Sequence, residues 1–265
     1  FAEEGTPEWR LFEITRLIAP PATQKELVSD SGEQRLIDRS AEEIAVDRRK
    51  NLRQVVSHAG QIIATTHSDA SQESLFNNAV HYISAAHLEL ALSGDSESAR
   101  HLTELSEAIF ASKPESPAAV ESASRLLELA QQMGQRYGAQ DAEWVRAHAT
   151  QARLFATRFP LETSRCVTAL LDAGRSCEQF NLHADALNCY LLLADKFGDT
   201  PFAEAIVAVV RRMNLPGRTL TAEDLGGPTI DGGFVSIDQY RGKHVLVVFW
   251  TSDSPTFEQD FSVLQ

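Results

Sequence analysis

The chain has 265 residues, 43% of them hydrophobic, and a formal net charge of −13. That apolar content supports a sizeable core and excludes a globally disordered chain. An acidic chain with no Lys/Arg cluster to offset its charge repels phosphate, which argues against nucleic acid and anionic lipid as partners.

Helical periodicity dominates residues 1–213, the expected helical domain. Thr6-Pro7-Glu8 is a start signal: a hydroxyl cap, proline at the first helical position, then an acid for the dipole. It leads into Trp9, Phe12, Leu17 and Ile18, and Pro20-Pro21 ends the segment. A long amphipathic helix is expected next, carrying Leu36, Ile37, Ile44, Leu52, Val55, Val56, Ala59, Ile62 and Ile63. Its charged face (Asp47, Arg48, Arg49, Lys50) reads as solvated.

Four breaks of one shape follow: ATTHSDASQES from Ala64, ASKPESPAAVE from Ala111, ATRFPLETSRC from Ala156 and ADKFGDTPFAE from Ala194. They recur at intervals of 47, 45 and 38 residues. Two helical stretches fit between successive breaks, such as Thr163 to Phe180 and His183 to Phe197. This is the pattern of stacked helical hairpins. Ser116-Pro117 and Thr200-Pro201 each set a hydroxyl before a proline, as helix starts do. Small residues (Ala184, Ala186, Ala194, Ala203, Ala205) recur where helices would approach closely.

The cysteines, Cys166, Cys177 and Cys189, include no C-x-x-C. Cys166 and Cys177 share one expected helix and stand ~16 Å apart at ~1.5 Å rise per residue, too far to bridge. Cys177 and Cys189 fall on opposite arms of one hairpin. The simplest reading of all three is small buried apolar residues. The histidines show no H-E-x-x-H, and His81 and His87 occupy different faces of a helix, so no metal site is expected. No apolar run approaches the ~20 residues of a membrane helix. No signal peptide is visible, and a chain beginning at Phe1 is expected to be trimmed or processed.

At Asn214 the composition turns to glycine and strand signals, opening an expected second domain over 214–265. Thr229-Ile230 and Phe234-Val235-Ser236-Ile237 flank Asp231-Gly232-Gly233, a hairpin signal. Arg241-Gly242-Lys243 turns into Val245–Trp250, an apolar run suited to a strand buried on both faces. Ser254-Pro255 and Glu258 mark a helix start.

Two resemblances follow from these residues. The run ALNCYLLLADKFGDTPFAEA, within about residues 150 to 213, resembles tetratricopeptide-type repeats. That resemblance implies either a groove for a protein or peptide partner or a spacer between domains. The order DGGFVSI, YRGKHVLVVFW, then a helix start, over about residues 215 to 263, resembles the opening of the thioredoxin-like redoxins. The closest groups are the TlpA-like thiol-disulfide oxidoreductases and the alkyl hydroperoxide reductase/thiol-specific antioxidant group. The fold expected is therefore mainly α: a tetratricopeptide-like helical array, then a partial α/β thioredoxin-like segment.

In the oxidoreductases Cys-x-x-Cys stands at the N-terminus of the helix after the core strand, where the dipole stabilises the thiolate. Here the matching positions are Ser254 and Phe257, and a peroxidase alignment asks for a cysteine near Glu258 that is not there. A serine hydroxyl forms no disulfide, so this module is expected to lack thiol redox chemistry and to need no cofactor. No His/Asp partner for Ser254 as a hydrolytic nucleophile can be assigned. The resemblance implies an origin in the cell envelope or periplasm. It also implies further strands and a cis-proline loop beyond Gln265, so the chain is expected to be a fragment. The expected function is a non-catalytic interaction or scaffold protein. The alternative is a thiol-disulfide oxidoreductase or peroxidase that uses Cys177 and Cys189, or cysteines in missing sequence. An unpartnered Val245–Trp250 strand would leave an open edge able to pair with a second copy.

Overall fold

The computed structural model describes residues 2–18, 25–30, 33–38, 40–215, 217–222 and 224–248. The chain divides into two compact units, Phe1–Val210 and Arg211–Gln265. Within the described residues the protein is mainly helical.

Helix α1 (Pro7–Ile18) starts where Thr6 signals it: the Thr6 hydroxyl accepts the Trp9 N–H at 3.3 Å. Strands β1 (Lys25–Asp30) and β2 (Glu33–Asp38) then pair antiparallel, from Lys25 opposite Asp38 to Asp30 opposite Glu33. This corrects the helical reading of Leu36 and Ile37, which stand on β2 opposite Leu27 and Glu26. Gly32 precedes these residues in the sequence, and a glycine weakens a helix interior by about 1 kcal/mol.

Helix α2 (Ala41–Thr66) therefore begins later than expected, at a capping box. The Ser40 hydroxyl accepts the Glu43 N–H, and the Glu43 carboxylate accepts the Ser40 N–H at 2.8 Å. Helices α3 (Glu73–Leu92), α4 (Ser96–Ser112), α5 (Pro117–Tyr137), α6 (Glu143–Arg158), α7 (Thr163–Gln179), α8 (His183–Phe197) and α9 (Ala203–Met213) follow. Each of the four expected breaks falls between two of these helices. Ser116 caps α5 through the Ala119 N–H at 3.1 Å, with Pro117 in the first turn.

From α1 to α8 each helix packs on the next, and α3 also reaches α5 and α6 reaches α8. The first core joins Ile14 of α1, Leu52, Val55, Ala59 and Ile62 of α2, and Ala79, Ile83, Ala86 and Leu90 of α3. Another joins Leu88 and Ala91 of α3, Leu102 of α4, and Leu126 and Leu129 of α5. Further along, Val167, Leu170 and Ala173 of α7 and Ala186, Tyr190 and Leu193 of α8 are buried. Ala184, by contrast, is exposed.

Polar contacts fix the packing. Arg48 of α2 forks onto Glu89 of α3 through two bonds of 2.7 Å and donates to the Ile18 carbonyl at the end of α1. Arg158 of α6 forks onto Glu107 of α4 at 2.8 and 2.7 Å while stacking over the Phe110 ring at 4.3 Å. Between α3 and α4, Gly94 takes a left-handed conformation (φ 97°) that turns the chain and lets Asp95 cap α4.

In the second unit, β3 (Gly226–Pro228) and β4 (Phe234–Ser236) form an antiparallel hairpin. The hairpin signal at Asp231-Gly232-Gly233 marks its turn: Gly232, at φ 84°, donates to the Thr229 carbonyl at 3.0 Å. Thr229 and Ile230 belong to the turn rather than to a strand, and Gly226–Pro228 supplies the first arm instead. A short 3-10 turn, Ile237–Tyr240, follows, capped by Ser236. The Asp224 carboxylate gathers the Thr221 N–H at 2.9 Å and Arg218 at 2.7 Å, which hold it below the usual carboxylate range.

The expected core strand is not formed over Val245–Val248. These residues pair with no strand, and Leu246 is 75% exposed. A ladder hydrogen bond needs a neighbouring strand, and among the described residues none stands beside them. Phe249, Trp250, Ser254, Phe257 and Glu258 lie outside the described residues.

Candidate functional site: a groove across α5, α6 and α7

Helical spacing builds the site. Glu121, Ser124, Arg125, Glu128 and Gln131 recur on one face of α5; His148 and Phe155 stand two turns apart on α6; Ser164, Thr168 and Asp172 recur every fourth residue on α7. Together they line a groove of about 480 Å³. Its floor is buried: His148, Phe155 and Ala169. A smaller cavity of about 170 Å³ continues past His148 and Gln131 toward Gly134, Ser176 and Phe180.

The charges in the groove are unevenly committed. Arg125 lies between Glu121, at 3.0 Å, and Glu128, at 3.1 Å. Glu121 also meets the His81 ring at 2.8 Å. Arg165 faces Glu162 at 3.4 Å. Burial lowers the pKa of His148, opposed by the Asp172 carboxylate. Its imidazole is therefore neutral at pH 7, with one N–H donor and one acceptor nitrogen. Among the described residues no hydroxyl or thiol hydrogen-bonds that ring.

The cysteines are placed otherwise. Cys166 and Cys177 lie on α7 and Cys189 on α8, all free and fully buried. The Cys166 thiol donates to the Phe159 carbonyl at 3.2 Å. Burial pushes Cys177 up to about 12 and Cys189 up to about 11. Thiols in that range are protonated at neutral pH and are poor nucleophiles. His81 and His87 do fall on different faces of α3, His81 exposed and His87 buried. Among the described residues no group of three His, Cys, Asp or Glu side chains is disposed to hold a metal ion. No helix there is long and apolar enough to cross a membrane.

A second depression runs along α2 past Val46, Arg49, Lys50 and Arg53. Arg53 there faces Asp95 of the α3–α4 turn at 3.7 Å.

Sequence reasoning missed the groove because its walls come from three helices. One signal was available: His148 occupies a core position in the series Val145, His148, Ala149, Ala152, Phe155, where a polar residue asks for an explanation. Compared with protein-family models, curated proteins and solved structures, the chain matches none.

Proposed function

We propose that this chain is a non-catalytic interaction protein of the cell envelope, in which a tetratricopeptide-like array docks a peptide or protein partner. In this reading the second unit is a thioredoxin-like module without the Cys-x-x-Cys pair. The observation that carries it is the groove across α5, α6 and α7, open to solvent over a buried floor. Paired helices with short connections support the array, because such stacks offer continuous concave surfaces. The β3–β4 hairpin and the turn after it support the module, and the cell-envelope assignment rests on the resemblance alone. The buried thiols disfavour the redox alternative.

The test is a selection of twelve-residue peptides against the full chain, with a photo-crosslinker at Thr168, an exposed groove position. Ligands that crosslink there and compete with one another support the reading. Selected ligands that crosslink only elsewhere, or no ligand at all, overturn it.

A further inference from the structure

The groove holds two arginines, and both already face carboxylates: Arg125 sits between Glu121 and Glu128, and Arg165 faces Glu162. Asp172 differs. Among the described residues it makes no ion pair and no hydrogen bond, and its one charge contact is with His148. His148 is 3% exposed and lines both the groove and the smaller cavity behind it, and among the described residues none hydrogen-bonds its ring.

These groups ask for one kind of ligand. An anion would have to displace Glu121 or Glu128 from Arg125 and would then meet Asp172. A cationic N–H donor would satisfy Asp172 and the acceptor nitrogen of His148 together, within a chain of net charge −13 that attracts cations. Resting on the docking role proposed for this groove, we infer that its occupant is a peptide segment with an arginine or lysine side chain seated against Asp172 and His148. The cation enters between α5 and α7, and flanking apolar side chains rest on Phe155 and Ala169.

The experiment uses four capped hexapeptides of alanine and leucine with one variable position: arginine, lysine, norleucine or glutamate. Each is titrated into the full chain at pH 7, with NMR of the backbone amides and of the His148 ring. The arginine and lysine peptides are expected to shift resonances of α5–α7 and of His148. They are expected to bind about tenfold tighter than norleucine, a preference that Asp172→Asn removes and added salt weakens. Circular dichroism checks that the variant keeps its helices. Equal binding of all four peptides in the groove, or a preference for glutamate, overturns the inference while the docking role stands. A basic preference that survives Asp172→Asn overturns the assignment to Asp172. No shift in α5–α7 with any peptide overturns both.

Discussion

Acidification from pH 7 to pH 5 is expected to weaken the helical unit through His87. This ring is 6% exposed between α3 and α4, and its Nδ1 has no hydrogen-bond partner among the described residues. Burial chiefly, helped by His101 at a ring separation of 5.5 Å and opposed by Asp95, drives its pKa from 6.5 down to about 4. The unfolded chain therefore takes up the proton first. The stabilisation is fully present above pH ~6.5, is lost as pH falls, and levels off below pH ~4. Linkage between these two pKa values puts the loss at about 2 kcal/mol by pH 5 and about 3 kcal/mol by pH 4. Urea unfolding followed by circular dichroism at pH 7, 6, 5 and 4 measures it, for the protein and for His87→Leu. Carboxylates and His148 titrate in both proteins and cancel, so the stability difference between them should drift by about 2 kcal/mol from pH 7 to pH 5. A difference that does not change with pH refutes the reasoning. So does a His87 ring resonance that titrates near 6.5.

A methyl at Gly174 would meet the Tyr190 ring at 2.4 Å, and that ring is 1% exposed, so Gly174→Ala is expected to destabilise by about 1–3 kcal/mol in thermal or urea unfolding. At Gly134 the nearest atom would be the Trp144 carbonyl oxygen at 3.4 Å, so Gly134→Ala inside α5 should stabilise by about 0.5–1 kcal/mol. All three cysteines should resist a thiol-reactive chromogen in the folded protein at pH 8 and react at once in denaturant; rapid native labelling of Cys177 would reopen the redox alternative. Ser40→Ala should cost about 1 kcal/mol and speed amide exchange in the first turn of α2, because it removes the capping hydroxyl.

Much of the helical unit is legible from local chemistry. Thr6-Pro7 and Ser116-Pro117 start helices because a hydroxyl acceptor and a proline suit a first turn whatever surrounds them. The end of α7 and the start of α8 follow from the Phe180-Asn181-Leu182 break, where Asn181 takes a left-handed conformation (φ 58°). The errors arose where one residue pattern fits two periods or needs a partner. Leu36 and Ile37 phase with Ile44 as a helix would, yet they pair with Leu27 and Glu26 as a strand. Val245–Val248 has strand composition, but a strand takes its hydrogen bonds from a neighbour. The groove escaped notice because Arg125, His148 and Asp172 are brought together by packing alone. The exception was His148, whose place in an apolar series was visible from the start.

The contact of Arg158 with Glu107 and Phe110 has a mechanical consequence. A flat cation that must lie on a ring and fork onto a carboxylate has one seat in which both demands are met. The junction of α4 with α6 therefore acts as a latch with a defined closed position, unlike greasy surfaces free to slide. Lysine would bring the same charge without the flatness or the fork, leaving the bolt in place but the keyhole gone.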